Sequence, residues 1–171
     1  MHGKYPDLAD EILMSYEVDI IAKNRPLETE RLNAIGIESQ FHVTNGYYAD
    51  PVEIKTAILP RSWKYRVVHL KLDDPASTIR AYCIEPHDLT VAKLAASREK
   101  DYIFIQALLD RSLLDVEKVK RLILETSVPG EKQVKMSNAF MRLVNQSIDS
   151  SKGDVVSPGM EAKSFRAKGP K

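Results

Sequence analysis

Cysteine is almost absent: Cys83 stands alone in 171 residues. One thiol forms no intramolecular disulfide and no thiolate-rich zinc site. It sits in the apolar run Ile79-Arg80-Ala81-Tyr82-Cys83-Ile84 and reads as a small buried hydrophobe. An excess of one charge is missing too. Lys and Arg total 25 against 24 Asp and Glu, a net charge of +1. No global basic field points to nucleic acid, which leaves only a local patch to consider. The block from Lys93 to Arg121 carries seven basic and five acidic residues, too balanced for an RNA-binding face. No stretch approaches a membrane-crossing helix, and Met1-His2-Gly3-Lys4-Tyr5-Pro6 holds no apolar core of a signal peptide. The expected location is the cytoplasm. There is no Gly-rich phosphate loop, nucleophile elbow, zinc motif or internal repeat. His42, His69 and His87 fall at no metal-ligand spacing.

What is present is a globular composition, 43% hydrophobic and 29% charged. A chain of this length buries a core without disulfides. Leu8 to Met14 has apolar spacing for a short helix, and Tyr16 to Ala22 reads as a buried strand. Leu27 to Ile35 suits a short amphipathic helix, with Pro26 in its first turn and Gly36 as its stop. Residues 38 to 51 read as an aromatic-studded loop or irregular hairpin. Strands are expected over Val52 to Leu59, Tyr65 to Leu72 and Ile79 to Ile84. From Pro86 the chain reads helical: Leu89 to Ala96, Asp101 to Leu109 (continuous with it or separate), and Val116 to Glu125 capped by Asp115. Pro129-Gly130 breaks the chain before a helix from Val134 to Ile148. Strands first and helices afterwards favour α+β. The expected division is a main domain over 1–128, a C-terminal helix over 129–148 and a disordered tail over 149–171.

Two places could carry chemistry. Glu17 and Asp19 flank Val18, and residues two apart on a strand share a face. Two carboxylates there can hold Mg²⁺, a cation that takes oxygen ligands. The same pair also describes a solvated strand edge. The second place runs from Glu85 to Asp101. Lys93 and Lys100, seven apart, share a face if one helix carries both, and Arg98 adds charge. Such a cluster can grip a triphosphate, Arg by a fork and Lys as a point charge. It can equally be an exposed face, with Asp101 paired to Arg98 or Lys100. Phe41, Tyr47, Tyr48 and Trp63 read as packing rather than a base-stacking platform, and His42 is the one histidine to watch.

The succession of segments resembles a family of uncharacterised bacterial nucleotidyltransferase-like proteins related to the AbiEii-type toxins of abortive-infection systems. The segments are Ser15-Tyr16-Glu17-Val18-Asp19, Ile35-Gly36-Ile37-Glu38-Ser39-Gln40-Phe41-His42, Asn45-Gly46-Tyr47-Tyr48-Ala49, Thr56 to Trp63, Arg66-Val67-Val68, and Glu85 to Asp101. The resemblance covers about residues 5 to 115. The resemblance implies a nucleotidyltransferase fold, a small mixed sheet carrying an acidic metal site followed by helices. It places Glu17 and Asp19 as the Mg²⁺ ligands and Lys93 as the lysine on nucleotide phosphates. Arg98 and Asp101 match the Arg and Asp of the later helical motif, with Lys100 beside them. The third acidic ligand has no clean counterpart; Asp73, Asp74 and Glu53 are the candidates. The Gly-Ser pair expected ahead of the acidic strand is missing before Gly3-Lys4-Tyr5-Pro6. A start codon placed too late, or a truncated gene, is the expectation.

Two functions stay open on this reading. One is an enzyme moving a nucleoside monophosphate from an NTP to an RNA or protein acceptor, in the manner of a toxin with its antitoxin. The other is a non-catalytic or truncated relative, serving as a nucleotide-binding or interaction module.

Overall fold

The computed structural model describes residues 17–21, 29–53, 55–70 and 80–153. The expected helix at Leu8 to Met14, Pro26, Asp73, Asp74 and the tail from 154 onward lie outside them.

Strand β1 (Glu17–Ile20) pairs in parallel with β2 (Tyr48–Pro51). A parallel pair needs a crossover. Here a 3-10 helix over Thr29–Ile35 and helix α1 (Gln40–Asn45) lie between the strands. The structure thus corrects the loop expected over 38–51, which holds a helix and a strand. Its local chemistry is clear. Ser39 Oγ accepts the His42 N–H at 3.1 Å and starts α1. Gly46, at φ 74°, donates its N–H to the His42 carbonyl and ends it. Aromatic pairs then tie α1 to β2 and the residue before it: Phe41 meets Tyr47 edge-on at 5.3 Å, and the His42 and Tyr48 rings lie 4.9 Å apart. The segment from 27 to 35 also departs from expectation, its described part being 3-10 rather than α-helical.

The strand expected over Val52 to Leu59 is not formed among its described residues. Thr56 N–H turns back to the Glu53 carbonyl at 2.9 Å instead. A short 3-10 turn (Trp63–Tyr65) takes the start of the next expected strand. Strand β3 (Val68–Leu70) then pairs antiparallel with β4 (Ala81–Cys83). Cys83 is half-buried opposite Val68. Burial pushes its thiol up, away from the thiolate a nucleophile needs.

The helical block consists of α2 (Pro86–Ala96), α3 (Glu99–Asp110), α4 (Val116–Leu124) and α5 (Gly130–Gly153). Pro86 sits in the first turn of α2, where its missing N–H costs nothing. Asp115 caps α4 by accepting the Lys118 N–H at 2.9 Å. Ser97 adopts φ 57°, its Oγ donating to the Leu94 carbonyl, so α2 and α3 are two helices. Pro129 precedes α5, and Gly130 opens it four residues ahead of the expected start. The helix also continues past Ile148 to Gly153, into the expected tail.

The core lies among these four helices. Val91, Leu94, Ile105, Leu108, Val119, Leu122, Ile123, Met136, Phe140 and Leu143 are buried together. Phe140, fully buried on α5, supplies a contact of the kind worth about 3–5 kcal/mol against alanine.

Two polar joints orient the block. Arg66, just past the 3-10 turn, forks onto the fully buried Asp88 of α2: Nε to Oδ2 at 2.9 Å and Nη2 to Oδ1 at 2.7 Å. Its Nη1 donates to Ser62 Oγ at 2.6 Å, and Ser62 donates to Glu125 at the end of α4 at 2.9 Å. The hydrogen bonds to Asp88 raise the Arg66 guanidinium's hold on its proton. The second joint is His87. Its Nε2 accepts the Asp115 N–H at 2.9 Å, so Nδ1 carries the proton toward Glu85. Lys118 Nζ reaches the same Glu85 at 3.0 Å, linking the starts of α2 and α4.

Candidate metal centre

Alternation on β1 puts Glu17 and Asp19 on one face, as the sequence suggests. The parallel register then sets Tyr48 beside Glu17 and Asp50 beside Asp19. One carboxylate oxygen from each of Glu17, Asp19 and Asp50 lies within 4.8 Å of the others. Asp50 is therefore the third carboxylate of the cluster. Glu53, a sequence-based candidate, is exposed and bonds Lys55 at 2.8 Å, while Asp73 and Asp74 lie outside the described residues.

The crowding shows in the protonation of Glu17. Burial raises its carboxyl pKa first, then a hydrogen bond with Asp50, then the charges of Asp19 and Asp50; Lys100 pulls it back. The Tyr48 phenol is raised by burial and then by Glu17, Asp50 and Asp19.

Opposite charge comes from the junction between α2 and α3. Asp101, fully buried in the first turn of α3, accepts from Arg98 Nε at 2.7 Å, Arg98 Nη2 at 3.2 Å and Lys93 Nζ at 3.1 Å. Burial pushes its carboxyl up, but the Arg98 and Lys93 hydrogen bonds outweigh this and hold it below the usual range. Lys93 Nζ also sits 4.5 Å from the Phe104 ring centroid. Because Ser97 separates the helices, Lys93 and Lys100 do not share one helical face. Lys93 turns toward Asp101, while Lys100 is exposed and acts on Glu17. The Arg98 guanidinium is raised by its Asp101 hydrogen bonds first, with burial opposing. Attraction from Asp101, Asp19 and Glu17 adds to the rise. The junction and the carboxylates thus act on each other electrostatically.

The electrostatics give a test. A carboxyl raised by folding binds its proton more tightly folded than unfolded. Its contribution to stability is therefore lost as pH rises from the ordinary carboxylate range through the raised value. Asp50→Asn removes one source of that rise. Melting temperatures measured in chelator should fall less with rising pH in Asp50→Asn than in the native chain. Mg²⁺ should raise the melting temperature of the native chain and not of the variant. Parallel pH curves for the two would refute the crowding.

Small sheets bearing clustered carboxylates, followed by a helical block, make this an α+β protein of nucleotidyltransferase-like architecture. The chain belongs to the family described as "Nucleotidyltransferase of unknown function (DUF6036)", whose model matches residues 8–149. That match takes in most of α5, beyond the stretch of about 5 to 115 on which the sequence resemblance rests. No curated protein and no solved structure matches the chain. No helix among the described residues is long and apolar enough to cross a membrane.

Proposed function

We propose that the chain is a Mg²⁺-dependent nucleotidyltransferase, moving a nucleoside monophosphate from an NTP to an acceptor hydroxyl. The observation that carries this is the convergence of one carboxylate oxygen each from Glu17, Asp19 and Asp50 within 4.8 Å, under the influence of the positive charges of Arg98 and Lys100. The donor set fits a hard divalent cation. It is all oxygen, the ligand type such a cation takes, and its three carboxylate oxygens lie within one ion's reach of each other. Bound Mg²⁺ supplies charge neutralisation on the triphosphate.

The chain's own residues do the rest. Glu17, Asp19 and Asp50 would hold the cation. Arg98 and Lys100 draw phosphate oxygens toward the carboxylates, Arg as a fork and Lys as a point charge. Asp101 fixes the Arg98 guanidinium and shares its charge with Lys93. The trio sums to one net positive charge, available to attract a triphosphate. Such catalysis is positioning and electrostatics. The acceptor hydroxyl belongs to RNA or protein, and kinship with abortive-infection toxins, with a partnering antitoxin, is part of the proposal.

A second reading, a nucleotide-binding module without turnover, is favoured by one observation. Lys93 and Arg98 are both engaged by Asp101. Calorimetric titration of NTP, with Mg²⁺ and with chelator, decides first whether the site binds. NTP binding that ignores chelator would sink the metal centre. Pyrophosphate release in the presence of total RNA or protein then separates the two readings: release supports the enzyme, and Mg²⁺-dependent binding without it selects the module.

A further inference from the structure

Helix α5 has a second face. Its core side carries Met136, Phe140, Leu143 and Val144. On the opposite side Val134, Asn138, Met141, Asn145 and Ile148 follow one another at steps of four, three, four and three residues. That is the spacing of a coiled-coil seam. Val134, Met141 and Ile148 are 58%, 37% and 47% exposed, and both asparagines are exposed. Lys135, Arg142 and Asp149, also exposed, border the stripe on one side.

We propose that this stripe is where a second copy of the chain docks, α5 against α5, parallel and in register. The asparagines choose the occupant. In a parallel pair each Asn138 meets Asn138 of the other copy, and each Asn145 meets its equivalent, so amide donors and acceptors satisfy one another. An antiparallel pair sets the asparagines against Val134, Met141 or Ile148. An apolar groove of a different partner does the same. Either leaves amides buried without hydrogen bonds, at a cost of about 1–3 kcal/mol each. The seam covers about two heptads, short for a coiled coil, so the dimer is weak and forms reversibly with concentration.

Sedimentation velocity on the full chain, over a wide concentration range, tests this. The native chain should shift from monomer to dimer. Met141→Asp and Ile148→Lys should each stay monomeric with unchanged circular dichroism, since both side chains lie outside the core. Asn145→Cys in a Cys83→Ser background should form a disulfide-linked dimer on mild oxidation, as parallel pairing requires. A native chain that is monomeric throughout, association untouched by Met141→Asp and Ile148→Lys, or no cross-link at position 145 would each overturn the proposal.

Discussion

Asp19→Ala is expected to lower nucleotidyl transfer by about three orders of magnitude while the thermal melt barely moves. The size follows from the reading of Asp19 as a metal ligand. Losing a ligand forfeits several kcal/mol of transition-state charge stabilisation, and each 1.36 kcal/mol is about tenfold in rate. The fold has little reason to respond. Asp19 is exposed on a four-residue strand and takes no part in the core. Its removal also relieves repulsion on Glu17. Single-turnover transfer and a parallel melt check both halves. Undiminished transfer would remove Asp19 from the site, and a collapsed melt would make its role structural.

Asp88→Ala is expected to have the opposite profile, a cost of about 3–5 kcal/mol in stability. The carboxylate is fully buried, and two of the three Arg66 nitrogens rest on it. Without it the guanidinium is left half-buried beside Ser62, and the hydrogen-bond chain from Arg66 to Glu125 loses its anchor. The cost comes from the stranded charge rather than from any large intrinsic worth of the pair. Replacing both partners by apolar residues, Asp88→Leu with Arg66→Met, should therefore recover much of the loss. Urea unfolding of the two variants distinguishes the explanations. If the double replacement is as unstable as Asp88→Ala, the ion pair itself is the stabilising element.

The helices were the legible part of this fold. Pro86 at a first turn, Asp115 at a cap and apolar spacing along the helices are local signals, and the structure answers to them. The short strand with Glu17 and Asp19 was legible for the same reason, but not its setting: it was expected to be buried, whereas Val18 and Asp19 are exposed. Asp50 was not. It lies in a four-residue strand closed in by Gly46 and Pro51, too short for alternation to outweigh turn chemistry. Its place beside Asp19 is set by register with a distant segment. The pairing of Lys93 with Asp101 was hidden differently. Nothing in Ala95-Ala96-Ser97-Arg98 announces a left-handed serine, so one helix and two helices looked alike. Glu53 drew attention as an acidic residue, but acidity alone says nothing of which strand edge it reaches.

The carboxylates and the cations that face them belong to parts of unequal firmness. Glu17, Asp19 and Asp50 ride on two four-residue strands, whereas Asp101, with Arg98 and Lys93 upon it, is rooted in the four-helix core. Local opening follows the density of buried apolar contacts, and among the described residues of the strand pair only Ala49 is buried. Local opening is accordingly expected to begin at the strand pair and to leave the helical block wound. Such opening would take the carboxylate cluster apart with almost no change in helical signal. A cation held by Glu17, Asp19 and Asp50, as proposed, would act as a clasp on the strand pair.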